Sequence, residues 1–312
     1  MRAAVVGTFA WDLIRDRSGE VLFQGPGGLM HCVAALSSLL PEETSIVPIS
    51  RVDRDSCAEL QEILSGLRGV RCEGIVPVRS GRYQVELRYH GAGNRCERAC
   101  SLPSPLDIEE ILRLAAGATG LLFNFISGED APPDSLPRLR KSVLGPLIVD
   151  LHSLTLNRDD RGHRSRRRAL PGWRSFLEGV DVLQVNEEEA RVLAGRGGDP
   201  IPAPADELER IACEVHAAGI GALVVTLGER GSIVFEASAA PQSIAPVLTG
   251  EALDPTGCGD VHGAALLAGL MRGFSIEASA RLAGHAAAAQ CGIAGWPKGL
   301  PSFDLLAARA CI

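Results

Sequence analysis

Short apolar runs rich in β-branched residues alternate with longer helical segments along most of this chain, and this alternation limits the possible folds more than any other feature. The runs that predict central strands are residues 3–7, 45–50, 120–124, 147–151, 180–185 and 222–227. The segments that predict helices are residues 28–40, 56–67, 106–116, 187–194, 206–218, 258–271 and 276–292. Strands separated by helices favour parallel pairing, with the helices covering the sheet faces. The sequence therefore predicts an α/β fold with a doubly wound, mostly parallel sheet flanked by helices.

Two segments interrupt the alternation. Residues 15–25 resemble a hairpin, and residues 82–99 alternate between apolar and polar side chains around a turn at 91–94. Successive side chains of a strand point to opposite faces, so Tyr83, Val85 and Leu87 would share one face with Tyr89. Strands inserted here that cannot join the central sheet would form a small sheet of their own. An ordinary edge hairpin is the alternative.

Length, charge and cysteine content narrow the class of protein. The 312 residues can bury one large core, so we expect a single domain over residues 1–312. A formal net charge of −7 argues against general nucleic-acid binding, which depends on positive charge. No apolar run is long enough to span a membrane, and no signal peptide is recognisable. Nine cysteines without a CxxC pair suit reduced thiols, so we expect a cytoplasmic protein that binds neither nucleic acid nor membrane.

Six arginines make residues 158–168 the densest basic segment of the chain. They are Arg158, Arg161, Arg164, Arg166, Arg167 and Arg168. The Asp, Gly and Ser residues between them are typical of a loop. We therefore expect a solvated loop here, and a site for phosphate or a polyanion is the less favoured alternative.

A glycine-rich segment at residues 254–260 reads Asp-Pro-Thr-Gly-Cys-Gly-Asp and leads directly into an apolar helix. The glycines let backbone N–H groups approach a ligand, and the start of a helix favours an anion. Asp260 lies at the edge of this predicted anion site, where it could simply cap the helix. Beside a bound anion, a carboxylate is better suited to act as the base for an attacking hydroxyl. The segment therefore predicts phosphoryl transfer.

This segment resembles a family signature. Asp254, Thr256, Gly257, Gly259 and Asp260 match the Asp-x-Thr-Gly-x-Gly-Asp pattern of ribokinase-like (PfkB) carbohydrate and nucleoside kinases. The resemblance implies an ATP-dependent kinase in which Asp260 is the general base. The backbone N–H groups of Gly257, Gly259 and Cys258, which stands where Ala is usual, would form the anion hole. Asp254 and Thr256 would shape the loop, and Asp254 lies in a region that is near a monovalent-cation (K⁺) site in some family members.

Two further motifs are similar to the donor-binding motifs of this family. Asn186 and Glu189 follow a predicted strand and match its Asn-x-x-Glu motif. This match implies a Mg²⁺ ion bound largely through water, although Asn186 could also act only as a helix cap. Thr226, Gly228 and Gly231 match a Thr-x-Gly-x-x-Gly nucleotide loop and would contact the phosphates or ribose.

His285 lies where the family lines its adenine pocket. The Ala-rich helix that surrounds it also reads as ordinary packing. The resemblance therefore implies a donor contact at His285, with simple helix packing as the alternative.

The resemblance is weaker in the part of the chain that would bind the phosphoryl acceptor. Asp12, five residues after the glycine that ends the first predicted strand, matches a position that hydrogen-bonds sugar hydroxyls in this family. Gly27 and Gly28 match a Gly-Gly block at a helix start, where backbone would approach the substrate. Cys32 stands where Asn is frequent, and His31 precedes it. The resemblance makes all five residues candidate substrate contacts, and helix packing is the alternative for His31.

The resemblance implies that the inserted strands form a small β lid, from about residues 12–26 and 80–101, which closes over the substrate. Its acceptor would be a hydroxymethyl group on a sugar, sugar acid or nucleoside. A nucleoside kinase and a non-catalytic nucleotide or sugar sensor remain alternatives. A Rossmann dehydrogenase is disfavoured because no Gly-x-Gly-x-x-Gly follows the first strand. The acceptor, the K⁺ dependence and a homodimer formed through the lid stay open.

Overall fold

The computed structural model describes residues 1–91, 94–199, 202–247 and 253–312. Its strands are β1 (Arg2–Val6), β2 (Phe9–Arg15), β3 (Val21–Gly28), β4 (Ser45–Asp53), β5 (Ile75–Val78), β6 (Gln84–Gly91), β7 (Asn94–Cys100), β8 (Gly120–Asn124), β9 (Leu147–Asp150), β10 (Leu156–Arg158), β11 (Arg164–Arg166), β12 (Val182–Asn186), β13 (Ala222–Thr226), β14 (Ser232–Glu236) and β15 (Gln242–Ile244). Its helices are α1 (Leu29–Leu39), α2 (Arg54–Ser65), α3 (Ile108–Leu114), α4 (Leu136–Arg140), α5 (Trp173–Phe176), α6 (Glu187–Leu193), α7 (Ala205–Ala217), α8 (Cys258–Met271), α9 (Ile276–Gln290) and α10 (Phe303–Arg309). Across the described ranges, no helix combines the length and apolar character needed to cross a bilayer.

The central sheet has the order β15-β14-β13-β12-β9-β8-β1-β4-β5 within the described residues. The strands from β13 to β5 are parallel, and β14 and β15 extend one edge in antiparallel pairing. Alternate residues of β1 point to opposite faces: Ala3 and Val5 pack into one apolar core, Ala4 and Val6 into the other. Helices α8 and α9 pack against each other, and α8 also contacts α1. The predicted α/β fold with a mostly parallel sheet is confirmed.

A second sheet has the order β3-β2-β6-β7. Tyr83, Val85 and Leu87 are buried in its small core together with Ile14, as the alternating pattern predicts. The turn predicted at 91–94 includes residues 92–93, which lie outside the described residues. The segments 12–26 and 80–101 thus contribute to one separate sheet, whereas its closure over a substrate and its use as a dimer contact stay predictions.

The basic segment forms a hairpin, and the prediction of a solvated loop is wrong for one of its arginines. Strands β10 and β11 pair in antiparallel register, and the hairpin contacts β7. The Arg164 side chain is only 4% exposed and forms an ion pair with Glu97 of β7. It also donates to the Tyr83 hydroxyl at 2.6 Å and to the Ser153 hydroxyl at 2.7 Å. Arg164 can be buried because its two terminal nitrogens find acceptors on both the second sheet and the body.

Candidate active site

The loop before α8 takes a conformation that its glycine requires. Gly257 is the N-cap of α8 with φ +79°, and a Cβ there would lie 2.1 Å from His31 Nδ1. Asp254 holds the loop: its Oδ1 accepts the Thr256 N–H at 2.9 Å, and its Oδ2 accepts the Gly295 N–H at 3.3 Å. Both carboxylate oxygens of this buried residue therefore have structural partners, and a K⁺ site near it stays a prediction.

The start of α8 keeps its orphan donors free of side-chain caps. No side chain caps this helix among the described residues, and a Cβ added to Gly259 would meet no atom within 4 Å. The Cys258 N–H makes a long 3.3 Å contact with the Pro255 carbonyl. A helix start of this kind, open on the side of the cavities described below, offers backbone donors and the positive end of the helix dipole to an anion.

Asp260 lies in the first turn of α8 but does not cap it, because Gly257 occupies the N-cap position. Its side chain is buried, and Asn124 at the end of β8 donates to Oδ1 at 2.7 Å. The remaining oxygen, Oδ2, accepts no hydrogen bond from the described residues, and Asp260 lines a cavity. Asp260 is therefore not the N-cap of α8, and capping does not explain why an Asp stands here.

The cavity beside Asp260, here called the acceptor cavity, has a volume of about 50 Å³ and lies between the second sheet and the body. Its polar lining comprises Asp12, His31, Glu97, His152, Arg164, Thr256 and Asp260. Its apolar lining comprises Ala10, Val85, Leu87 and Ile126. Gly28 and Gly257 complete it with backbone. The structure thus brings Asp12, Gly28 and His31, all expected from the sequence, to the same place as Asp260.

Gly27 supports this cavity indirectly. A Cβ at Gly27 would lie 1.7 Å from Asp12 Oδ2, so only glycine leaves room for the Asp12 carboxylate. Gly28 has φ +57° and would place a Cβ 2.6 Å from the Thr8 carbonyl. Both glycines of the pair are therefore required by close approach at the start of α1.

Cys32 does not belong to the acceptor cavity, contrary to the sequence-based expectation. It is fully buried behind Asp260, with Sγ 3.5 Å from the Asp260 carbonyl and 3.5 Å from Asn124 Nδ2. Burial raises the pKa of its thiol well above the ordinary value. Neighbouring residues on a helix point about 100° apart, so the face that turns His31 to the cavity turns Cys32 into the core.

Asp12 and His31 form a buried charged pair in the acceptor cavity. His31 Nε2 lies 3.8 Å from Asp12 Oδ2, too far for a good hydrogen bond. Both ring nitrogens of His31 lack a hydrogen-bond partner among the described residues. Burial raises the pKa of Asp12, and His31 opposes this effect in part. Burial lowers the pKa of His31, but the Asp12 contact and the Asp260 charge outweigh it, so the pKa is above its usual value.

A second, larger cavity, the donor cavity, lies on the other side of the α8 start and has a volume of about 700 Å³. Thr226, Gly228, Gly231, Cys258 and Gly259, all expected from the sequence, line it. Its further walls come from Ile244, Ala245, Pro246 and Val247 after β14 and from Gly284, Ala287, Ala288 and Cys291 of the α9 region. The lining is mainly apolar, and its polar side chains are those of Thr226, Glu229, Ser232 and His262.

His285 is not among the residues that line the donor cavity, and the expected adenine contact stays a prediction. Gly284, Ala287 and Ala288 form the cavity-facing side of α9 at helical spacing, and His285 points elsewhere. Burial and then the nearby Arg309 charge lower the pKa of His285, which places it toward α10. Gly284, on the same helix, is the residue that sequence analysis missed.

Asn186 and Glu189 form the cap of α6. Asn186 Oδ1 accepts the Glu189 N–H at 2.9 Å, and Glu189 Oε2 accepts the Asn186 N–H at 2.9 Å. Asn186 Nδ2 also donates to Glu189 Oε1 at 2.8 Å. Glu189 is buried, and burial raises its pKa. The capping role that the sequence left open is present, and it leaves lone pairs on the Glu189 carboxylate.

Asp150, which sequence analysis missed, is a third carboxylate that interacts electrostatically with Glu189 and Asp260. It ends β9, accepts from Gln184 Nε2 at 2.7 Å and is buried. Burial, followed by the negative charges of Glu189 and Asp260, raises its pKa well above the ordinary value. A carboxylate at the last position of a buried central strand was the signal that could have identified it.

These carboxylates suit a divalent cation that is also held by other ligands. A nearby cation would relieve the repulsion and the cost of burial that raise the pKa values of Asp150 and Glu189. No group of three or more His, Cys, Asp or Glu side chains in the described residues could hold a metal ion. The donor set fits Mg²⁺, which needs one or two carboxylates with waters and phosphate oxygens.

Comparisons with known proteins agree with this arrangement. Residues 153–299 match the family model for pfkB family carbohydrate kinases. The cytidine kinase of Thermococcus kodakarensis is 23% identical over 262 residues, which cover 82% of this chain and 84% of that protein. The solved structure of Arabidopsis thaliana ribokinase complexed with ribose and ATP has a TM-score of 0.73 at 18% identity, with 99% of this chain and 98% of that chain covered. A pyrophosphate-dependent kinase in the ribokinase family, complexed with a pyrophosphate analog and myo-inositol, has a TM-score of 0.68 at 22% identity, with coverages of 96% and 97%.

The two solved structures establish a ribokinase-like fold over nearly the whole chain. The family match over residues 153–299 and the similarity to a cytidine kinase support a carbohydrate or nucleoside kinase. The matched region, residues 153–299, includes residues 254–260, so the similarity is to the ribokinase-like (PfkB) carbohydrate kinases that this segment resembles.

Proposed function

We propose that this enzyme transfers the γ-phosphoryl group of ATP to a hydroxymethyl group of a sugar or sugar derivative. One observation carries the proposal: the start of α8 separates two cavities, and Asp260 faces the smaller one while Gly259 borders the larger. A hydroxyl in the acceptor cavity and a phosphate chain in the donor cavity would therefore meet at the anion-binding helix start.

Asp260 accepts the proton of the acceptor hydroxyl as its oxygen attacks the γ-phosphorus. Asn124 holds one carboxylate oxygen at 2.7 Å and leaves the other for the hydroxyl. Backbone N–H groups of Gly257, Cys258 and Gly259 stabilise the charge on the transferring group. Mg²⁺, when bound near Glu189, Asn186 and Asp150, supplies charge neutralisation for the phosphates. Closure of the second sheet excludes water from the acceptor cavity. This sheet already reaches the loop before α8, since the Tyr89 hydroxyl of β6 lies 2.9 Å from the Thr256 hydroxyl.

The donor cavity favours a nucleotide over pyrophosphate. Pyrophosphate has no apolar part, whereas Ile244, Pro246, Val247 and Ala288 surround a space of about 700 Å³. Apolar walls of this kind bind a base, and the few polar groups then fix its orientation. The pyrophosphate-dependent kinase has the same fold at 22% identity. The choice of phosphoryl donor therefore depends on the residues that line the cavity and not on the fold.

The acceptor cavity favours a polyhydroxyl compound. Asp12 and His31 line it with hydrogen-bonding groups, and neither ring nitrogen of His31 has a hydrogen-bond partner among the described residues. No Phe, Tyr or Trp side chain lines this cavity among the described residues, which weakens the case for stacking a nucleobase. A nucleoside is the second candidate acceptor, since the curated relative over most of the chain is a cytidine kinase.

ADP release from Mg-ATP should reveal the acceptor when sugars, sugar acids, inositols and nucleosides are supplied one at a time. We expect turnover with a polyhydroxyl acceptor and none when pyrophosphate replaces ATP. Pyrophosphate-supported turnover would overturn the donor assignment. ATP binding without turnover on any acceptor would favour the sensor alternative. A lack of ATP binding would refute the kinase proposal.

Glu189→Gln should raise the Mg²⁺ concentration needed for half-maximal activity by roughly tenfold, since losing an ordering or liganding carboxylate costs 10–100-fold in metal affinity. Gln still completes a capping box, so α6 should keep its start. Activity measured against Mg²⁺ concentration is the readout. Glu188→Gln is the matched control: it removes the same charge from an exposed neighbour, and an equal shift there would show that general electrostatics, not the Glu189 site, is responsible.

A further inference from the structure

Two cysteines from distant parts of the chain meet at the wall of the donor cavity. Cys258 is the first residue of α8, and Cys291 follows the last turn of α9. Their Sγ atoms are 2.7 Å apart, and both residues line the donor cavity and are half-buried. A reagent that enters the cavity can therefore reach both thiols.

The backbone around the pair is held on both sides. The Cys291 carbonyl accepts the Leu253 N–H at 2.9 Å and the Asp254 N–H at 3.2 Å, which ties the end of α9 to the loop before α8. A disulfide requires sulfurs at about 2.05 Å, so small side-chain rotations would complete the bond. The hydrogen bond between the two thiols lowers the pKa of Cys291 and, together with burial, raises the pKa of Cys258, which makes Cys291 the more nucleophilic thiol of the pair.

We propose that Cys258 and Cys291 are a reversible thiol–disulfide modification site that controls donor binding. The co-reactant is a small-molecule disulfide such as oxidised glutathione. The Cys291 thiolate attacks one of its sulfurs, the S–S bond breaks, and one glutathione thiolate leaves. The Cys258 thiol then gives its proton to solvent and attacks Cys291 Sγ, which displaces the second glutathione thiolate. The protein loses two electrons and two protons, and two glutathione thiols are formed.

The bond would act on the anion site directly. Cys258 carries one of the backbone N–H groups at the α8 start, and the disulfide would fix its side chain against the end of α9. The first turn of α8 would then lose the freedom to adjust to the phosphates. The effect on donor binding rests on the proposed function, whereas formation of the bond does not.

The experiment uses the full-length reduced protein treated with oxidised glutathione. We expect peptide mass spectrometry to find a 258–291 crosslink, and ATP affinity to fall at least about tenfold and to recover with dithiothreitol, a change of about 1.4 kcal/mol. Cys258→Ala, which introduces the residue usual at this position in the family, and Cys291→Ser should each lose the response to oxidation. Cys213→Ser, at an exposed site, should respond like the parent.

Three results would contradict this proposal or separate it from the kinase proposal. Absence of the crosslink while Cys213 is glutathionylated would show that the pair does not react. A crosslink with unchanged ATP affinity would overturn the control of donor binding. A crosslink in a protein that never binds ATP would instead retain the modification site, remove its proposed effect and count against the kinase proposal.

Discussion

Asp260→Asn is expected to lower turnover by about 10²-fold or more while donor binding and fold are retained, the usual scale for removing a general base. An Asn side chain can still accept the hydrogen bond from Asn124 through its carbonyl oxygen, which keeps the local packing. It cannot accept a proton from the attacking hydroxyl. The measurement is kcat with saturating Mg-ATP and with the acceptor that the ADP-release experiment identifies. ATP affinity and thermal unfolding are measured alongside.

Asp304→Asn provides the control for this experiment, because it makes the same substitution at an exposed position on α10. Its turnover should match that of the parent. Turnover of Asp260→Asn within about tenfold of the parent would refute the base assignment, since proton transfer by a positioned side chain contributes at least that much. A loss of ATP affinity as large as the loss of turnover would instead indicate that Asp260 shapes the anion site.

The parallel sheet could be predicted because each strand carries its own signal. The strands β1, β8, β9, β12 and β13 are short, apolar and buried on both faces, so they were recognisable without knowledge of their neighbours. The strands β5, β14 and β15 and the β10–β11 hairpin were missed. The strands β10, β11 and β15 are mixed in polarity, and only their pairing in the folded chain distinguishes them from loops.

The candidate site was predictable where function depends on backbone and less so where it depends on side-chain direction. Gly257 and Gly259 lie at the start of α8, where the sequence places them, and their part in binding an anion stays a prediction. Cys32 and His285 were each expected in a cavity, and each lies next to a residue that does line it, His31 and Gly284 respectively. A helix turns by about 100° per residue, so a motif match cannot set which of two neighbours faces the ligand.

The Asp150 carboxylate illustrates the limit of a motif-based reading. Its raised pKa depends on burial and on Glu189 and Asp260, which are contributed by other elements. No residue near Asp150 in the sequence indicates that Glu189 and Asp260 will lie close to it in the fold. Likewise, the arginines of 158–168 read as a solvated loop because their partners, among them Glu97 on β7, lie far away along the chain.

Gly257→Ala should destabilise the fold and lower turnover by about 10²-fold, because the added methyl group acts on both the loop and the anion site. The Cβ would lie 2.1 Å from His31 Nδ1, so His31 or the start of α8 must move. The positive φ of +79° adds backbone strain of about 1–2 kcal/mol, and overpacking adds roughly 1–3 kcal/mol more. Denaturant unfolding gives the free-energy change, and kcat gives the effect on catalysis.

Gly172→Ala separates these two contributions. Gly172 is also a helix N-cap, with φ +74° and ψ 4° against φ +79° and ψ −2° at Gly257, and a Cβ there meets no atom within 4 Å. It should show the backbone strain alone, with turnover unchanged. In a His31→Ala background, the cost of Gly257→Ala should fall to that of Gly172→Ala, because the clashing ring is gone. An equal cost of Gly257→Ala with and without His31 would show that the imidazole does not pack on this glycine, and the geometry proposed for the acceptor cavity would have to be abandoned.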